Sequence, residues 1–192
     1  MKVAALAPAA CLLATLAASS AFAMETEQAM KIFALKTAAE WLADPLIVQT
    51  VKAQNETTKA YTEDQILAMD ALWWSEVGTA ETPTISTVLD QPASALLGAR
   101  VAETQGQVVE AFVMDARGLN VAASAVTSDY WQGDEDKFLK TFALGSGSVH
   151  VGEIEFDEST QMYLSQVSFV ILDPITHYPI GAMTLGLNAE AF

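Results

Sequence analysis

The amino-acid sequence predicts an α+β domain built on an antiparallel sheet. The first half of the chain is patterned as helices, the second half as short strands separated by tight turns, and a hydrophobic leader precedes both. Closely spaced strands with short connections pair antiparallel, and helices collected at one end of such a sheet are typical of α+β domains. A chain of 192 residues can bury one sizeable core, so we expect one domain after the leader.

Residues 1–23 have the pattern of a secretory signal peptide. Lys2 is the only charged residue among them, an apolar run covers 3–18, and a small-x-small cleavage motif, Ala-Phe-Ala, follows at 21–23. The apolar run is shorter and richer in alanine than the roughly 20 apolar residues of a membrane span. We therefore expect residues 24–192 to be a periplasmic or secreted domain without a membrane anchor or an output domain. An uncleaved anchor helix is the alternative.

The chain is strongly acidic, with 24 acidic and 9 basic residues and a formal net charge of −15. An acidic surface repels nucleic acid and anionic lipid, so we expect neither as a partner. The single cysteine, Cys11, lies in the leader. The domain after the leader therefore has no thiol for catalysis and no disulfide, and a domain of this size can do without one.

The first helix is expected over residues 25–43 and should end at Asp44-Pro45, because a residue before proline avoids the helical region. Apolar residues at spacings of three and four predict its buried face. These residues are Ile32, Leu35, Ala39 and Leu42. A shorter helical segment follows at 46–54, and the polar residues 55–58 predict a loop.

Two further helical stretches precede the sheet. Thr62 and Gln65 have capping-box spacing, which predicts a helix start there and an end near Gly78. A last stretch covers 85–102 and is divided by Pro92.

The second half predicts five strands, because runs of β-branched and aromatic residues alternate with turn residues. The strands are expected at 107–115, 119–125, 149–156, 162–172 and 180–187. Gly118 in the turn after the first strand indicates a hairpin. A short helix with an acidic first turn is expected at 134–142.

No motif of an enzyme is present. The sequence lacks HExxH, GxSxG and a serine followed by lysine three residues later. The acidic clusters 134–136 and 153–158 lack the spacing of a calcium loop and are expected to face solvent. We therefore expect no catalysis, no metal and no cofactor. An exported hydrolase of unrecognised type is the remaining enzymatic alternative.

The loop 127–135 is the most distinctive stretch, because Tyr130 and Trp131 are adjacent and flanked by polar residues. Aromatic walls with a few directed polar groups are typical of a small-ligand pocket. The alternative is that both rings plug the core beneath the short helix.

Three segments resemble the Cache family of extracytoplasmic, PAS-like sensor domains. Residues 112–124 have the family's first-hairpin pattern, Asp-x-x-Gly followed by small residues and Ser. Residues 167–173 and 179–182 resemble the closing hairpin, and the aromatic loop lies where Cache domains place theirs. The resemblance covers nearly all of 24–192. It implies a PAS-like fold with a five-stranded antiparallel sheet, a long N-terminal helix and a helical cap.

The resemblance also implies a function in signal transduction. Cache domains bind a small molecule between the sheet and the cap, and most are the sensing parts of chemoreceptors or histidine kinases. A single sheet indicates a single-Cache domain. The arginine-and-tyrosine pattern of amino-acid-binding double Cache domains is absent, so an organic acid or similar metabolite is the expected ligand. A membrane receptor or kinase would read the liganded form.

The resemblance, with the polar residues inside apolar strands, gives the expected ligand contacts. They are Tyr130 and Trp131 as walls, Asp129 and Gln132 as polar loop groups, Ser124 at the end of a strand, Lys137 on the short helix, and Gln166 and Ser168 on a central strand. The alternative function is a ligand-free interaction module that docks on a receptor. For that module, one of Trp73 and Trp74 should be core and the other an interface anchor, and the first helix is a candidate homodimer contact.

Overall fold

A computed structural model describes residues 10–157 and 161–192, with side-chain surroundings given from residue 25 onward. The predicted signal peptide, 1–23, therefore lies outside the residues whose side chains are described. Among the helices of the described part, none is both long and apolar enough to cross a membrane.

The chain forms helices first and strands afterwards, which confirms the predicted α+β class. The helices are α1 (Ala10–Leu42), α2 (Pro45–Thr58), α3 (Glu63–Glu76), α4 (Pro83–Leu89), α5 (Pro92–Glu103) and α6 (Asp136–Leu139). The strands are β1 (Val108–Asp115), β2 (Asn120–Ala123), β3 (Val149–Val151), β4 (Glu155–Asp157), β5 (Met162–Leu172) and β6 (Pro179–Asn188).

All strand pairs are antiparallel, in the order β2-β1-β6-β5-β3, and β4 also pairs with β5. The sheet is thus five strands wide, with β3 and β4 following one another along β5. The prediction of one strand over 149–156 is wrong in this detail, because the chain breaks between Val151 and Glu155.

The break is a one-residue bulge. Val151 pairs with Val167, and Glu155 pairs with Leu164. The chain thus advances four residues from Val151 to Glu155 while its partner strand β5 advances only three, which leaves one extra residue on the side of β3 and β4. A shift of one residue moves the following side chains to the other face of a strand. Glu155 and Asp157 therefore lie on the same face of the sheet as Leu164, rather than on the face of Val149 and Val151.

The helical face of the sheet is covered by α1, α2 and α5. The buried face of α1 consists of Met30, Ala34, Ala38 and Trp41. The predicted face was wrong, because Ile32 and Leu35 are 57% and 43% exposed. Both sets of residues have helical spacing, and only packing against the sheet distinguishes them.

The opposite face, which we call the cap face, is covered by α3, α4, the loop 124–135 and α6. Its core joins Ile66 and Trp73 of α3 to Phe112 and Met114 of β1 and to Phe138 of α6. The cap face is only partly filled by this core, and the remaining space forms the candidate site.

Local capping signals position the cap helices. The Thr62 side chain accepts the Gln65 amide, and the Gln65 side chain accepts the Thr62 amide, so the predicted capping box is confirmed. The buried Glu76 carboxylate accepts the backbone amides of Thr84 and Ile85 at the start of α4. This side chain replaces the missing cap at Thr82 and holds α3 and α4 together.

The predicted loop at 55–58 is wrong, because α2 continues to Thr58. The Asn55 amide group donates to the Ile180 carbonyl at 2.7 Å, and its oxygen accepts the Ala116 amide at 2.8 Å. These tertiary contacts favour helix at a residue whose own propensity is weak.

Candidate functional site

A cleft lies between the cap face of the sheet and the covering elements. Its inner lobe, about 560 Å³, is bounded by Trp74 of α3 and Val77 just after it, by Glu110 and Phe112 of β1, and by the loop residues Val126 to Ser128. Volumes of a few hundred Å³ are typical of small-molecule sites. The cleft is thus large enough for a metabolite.

The floor of the inner lobe is a polar row across three strands. Glu110 is opposite Gly186, and Gly186 is opposite Gln166. The Gln166 amide donates to the Glu110 carboxylate at 2.9 Å, so the Glu110 side chain spans β6. A Cβ atom on residue 186 would lie 2.3 Å from Glu110 Cγ, so glycine leaves the room for this crossing.

Burial raises the pKa of Glu110 above its ordinary value of 4.5. The hydrogen bond from Gln166 and the charge of Lys137 act in the opposite direction, while the charge of Asp157 adds to the increase. A carboxylate on an apolar sheet is poorly solvated, which penalises its charged form.

Lys137 of α6 covers the floor from the opposite side. Its ammonium donates to Gln132 Oε1 at 2.9 Å, pairs with Glu135 at 2.9 Å and lies 5.4 Å from the centre of the Phe112 ring. The Lys137 side chain is only 12% exposed. The Lys137 side chain therefore faces the cleft and is largely shielded from solvent.

The cleft continues into an outer lobe of about 590 Å³ between α6 and the edge strands β3 and β4. The two lobes share Lys137, Asp157 and Gln166. The outer lobe is also lined by Glu135, Asp136, Glu153 and Glu155, and by the basic residues Lys140 and His150. Within the described residues, no three His, Cys, Asp or Glu side chains are grouped as a metal site.

Three of the predicted contacts line the cleft, namely Gln132, Lys137 and Gln166. Gln132 and Lys137 are neighbours in the sequence, on the loop and at the start of α6, and the fold brings Gln166 of β5 into the same lobe.

The two aromatic residues of the loop are placed elsewhere. Tyr130 is 4% exposed and stacks on Trp73, while Trp131 donates its indole N–H to the Arg117 carbonyl at 2.9 Å. Asp70 of α3 accepts both of their backbone amides at 2.9 Å. The alternative reading of the sequence, in which both rings plug the cap, describes their position.

The remaining predicted contacts are engaged in structural hydrogen bonds. The Ser124 hydroxyl accepts the Ala111 amide at 2.9 Å, and Ser168 shares a 2.9 Å hydrogen bond with the equally buried Thr184. The Asp129 carbonyl accepts from Asn120 and Gln132 side chains. None of these three predicted residues lines either lobe.

Sequence reasoning missed Glu110, Phe112 and Asp157. Glu110 interrupts an apolar strand between Val109 and Ala111, which is the same signal that identified Gln166. Asp157 gave no such signal, because its orientation depends on the bulge. Phe112 is an ordinary strand residue in the sequence.

The Asp-x-x-Gly motif has a structural explanation. The buried Asp115 carboxylate accepts the Thr58 hydroxyl at 2.7 Å, the Gln54 amide at 3.1 Å, and the backbone amides of Arg117 and Leu119. Asp115 therefore fixes the β1–β2 turn and attaches α2 to it. It lines neither lobe of the cleft.

Comparisons with known proteins returned solved structures only, since no family model and no curated protein matches the chain. The sensor domain of the Vibrio cholerae histidine kinase DctB aligns with a TM-score of 0.44 and 12% identity, over 92% of this chain and 57% of its own. The ligand-binding domain of the Campylobacter jejuni chemoreceptor Tlp3, in complex with 4-methylisoleucine, gives a TM-score of 0.41 and 12% identity, over 79% and 63%.

The Escherichia coli DcuS sensor domain gives a TM-score of 0.39 and 19% identity, over 67% of this chain and 89% of its own. The chain thus spans less than two thirds of the DctB and Tlp3 domains and most of the DcuS domain. These structures are sensor or ligand-binding domains, the class of protein that the sequence resembles.

Proposed function

We propose that this protein is the ligand-binding part of an extracytoplasmic signalling system and binds a small metabolite in the cleft without catalysis. The cleft supports this proposal. It is a space with a polar floor beneath the cap, and Glu110, Gln166 and Lys137 converge on it. Polar groups that converge in a partly apolar cleft are typical of small-molecule recognition. The Cache resemblance of the sequence supports the sensor role.

Ligand binding can be tested by thermal unfolding of residues 24–192 against a library of metabolites. A ligand at 100 times its Kd adds about 2.7 kcal/mol to the free energy of unfolding. Val126→Trp should remove the stabilisation by filling the mouth of the inner lobe. Ile175→Trp is the matched control, since Ile175 is 82% exposed and lies in the β5–β6 turn. A hit that survives Val126→Trp would contradict binding in this cleft.

Export is a further part of the proposal. The leader pattern supports cleavage after Ala23, which would give a periplasmic or secreted chain that begins at Met24. The intact mass of the protein recovered from the periplasm or medium tests this directly. A mass that includes residues 1–23 would contradict cleavage.

We also propose that the exposed apolar residues of α1 contact a second copy of the chain. Ile32 and Leu35 are exposed apolar residues about one helical turn apart on α1, outside the residues that contact the core. Burial of this stripe in a homodimer would remove it from water, as the alternative interaction role requires. Sedimentation velocity should then show a dimer that Leu35→Glu dissociates, whereas Leu67→Glu on α3 leaves it intact.

A further inference from the structure

We propose that the cleft selects an organic cation, a primary amine with an apolar body, and that the Glu110 carboxylate receives its ammonium group. This inference rests on the proposed small-molecule function and names the chemical class of its ligand. It departs from the organic acid expected from the sequence.

The lysines around the floor of the cleft are already paired with acids. Lys137 is already paired with Glu135, and Lys140 is paired with Asp136 at 2.6 Å. Among the described residues, the donor to the Glu110 carboxylate is the uncharged Gln166 amide. Both lysines of the cleft are thus paired with acids, and no cation of the described residues lies within hydrogen-bond distance of the Glu110 carboxylate.

The bulge between β3 and β4 sets the direction of two further carboxylates. Because the bulge turns Glu155 and Asp157 to the cap face, both carboxylates lie along the cleft. In an unbulged strand these residues would follow Val149 and Val151 to the helical face. Asp157 therefore shares the inner lobe with Glu110, while Glu155 lines the outer lobe, so an organic anion in the inner lobe would meet two carboxylates.

The walls of the inner lobe are largely apolar and aromatic. Trp74, Val77 and Val126 face the inner lobe, and the Phe112 ring already accepts the Lys137 ammonium over its face. Aromatic faces attract cations, and desolvation strengthens the attraction. Apolar walls with a carboxylate floor match an alkyl or arylalkyl body with an ammonium end.

A partly buried carboxylate is costly without a cation, which is why the floor is suited to receive one. The raised pKa of Glu110 reports this cost. An ammonium hydrogen-bonded to Glu110 would replace lost hydration with a charge-assisted contact. A metal ion would need several ligands close together, and the acids of the described cleft are spread around its walls.

The test uses pairs of compounds that share an alkyl or arylalkyl body and carry either ammonium or carboxylate groups on it. Phenethylamine is compared with 3-phenylpropionate, and 1,4-diaminobutane with adipate, within a larger panel of primary amines and matched carboxylates. Calorimetry and thermal unfolding of residues 24–192 should detect amines and not their matched acids. Glu110→Gln should weaken the best amine by about 10-fold or more, as expected for a hydrogen bond to a charged group.

Two further variants separate the role of Glu110 from general effects. Gly186→Ala should also weaken amine binding, because its Cβ displaces the flexible Glu110 side chain from Gln166. Glu103→Gln makes the same charge change at an exposed position on α5 and should leave affinity unchanged.

The outcomes distinguish this inference from the function on which it rests. Binding of carboxylates that is lost in Lys137→Met would overturn the cationic class and leave the small-molecule function in place. Amine binding that is unchanged in both Glu110→Gln and Gly186→Ala would overturn the assignment of Glu110. If no compound of either charge binds the wild-type protein, both the inference and the proposed function are wrong.

Discussion

The rings of Trp73 and Tyr130 stack with their centroids 5.5 Å apart and their planes inclined by 22°. Trp73 is fully buried and donates its indole N–H to the Thr127 carbonyl at 2.8 Å. This pair attaches α3 to the loop that follows β2, so the cap is built around Tyr130 rather than around a ligand.

Tyr130→Ala should therefore lower the free energy of unfolding by about 3–5 kcal/mol, the usual cost of removing a buried aromatic side chain. Denaturant unfolding of the two proteins measures the difference. Tyr178→Ala is the control, because Tyr178 is 73% exposed and its loss should cost less than about 0.5 kcal/mol. If Tyr130→Ala lost ligand affinity but kept its stability, the structural role of Tyr130 would be contradicted and a role as a ligand-contacting residue would be favoured.

Glu110→Gln should stabilise the ligand-free protein near neutral pH, because it removes the desolvation cost of the carboxylate. A carboxyl group whose pKa is raised in the folded state contributes less stability as the pH rises through that pKa. The amide carries no such penalty and keeps a contact with Gln166. The gain should disappear below about pH 4, where the carboxyl group is protonated in both states. A stability difference that does not change with pH would contradict desolvation as the cause.

Asp173 should make folding sensitive to acid. The hydrogen bond from Lys52, at 2.5 Å, is the main cause of its lowered pKa, with further bonds from the Thr176 and Ile175 amides. Because the folded pKa lies below the ordinary value of 3.8, the stabilisation is complete above that value and is lost as the pH falls through the lowered pKa.

The advantage of wild type over Asp173→Asn should accordingly be constant near neutral pH and shrink in acid. Thermal unfolding at a series of pH values measures it, with Asp134→Asn as a control on an exposed acid for which the difference should stay near zero. An advantage that grows with acidification would contradict the linkage.

Gly118→Ala should cost about 2 kcal/mol or more, since two penalties combine there. Gly118 has a φ of 78°, and an added Cβ would lie 2.4 Å from the Cα of Gly133. Gly147 has a similar φ of 83° with no atom within 4 Å of its Cβ position, so Gly147→Ala isolates the backbone penalty of about 1–2 kcal/mol. Equal costs for the two variants would show that the contact with Gly133 is easily relieved.

Local signals explain which elements could be predicted from the sequence. The capping box at Thr62 and the proline at 92 act within a few residues, so α3, α4 and α5 were predicted close to their observed positions. The hairpin at Gly118 is equally local. These features require no knowledge of the rest of the chain.

The errors occur where distant contacts decide. Asn55 remains helical because it bonds to β6 and to the β1–β2 turn, 125 and 61 residues away. The buried face of α1 depends on which of two apolar stripes meets the sheet.

The candidate site shows the same limit. Gln166 and Lys137 were identified as a polar strand residue and a cation near the loop, and both line the cleft. The partnership of Glu110 with Gln166 depends on a register across β6, which no local pattern encodes. Tyr130 and Trp131 attracted attention because they are adjacent, yet adjacent loop residues can serve the core as readily as a ligand.

The bulge between Val151 and Glu155 also governs how this domain meets copies of itself. Strands β3 and β4 form one edge of the sheet, and an unbroken edge is a template on which another molecule can add a strand. Here the edge is divided into two pieces of three residues, and exposed Glu153 and Glu155 lie at the division. The irregularity that directs carboxylates toward the cleft therefore also protects the protein against edge-to-edge aggregation at high concentration.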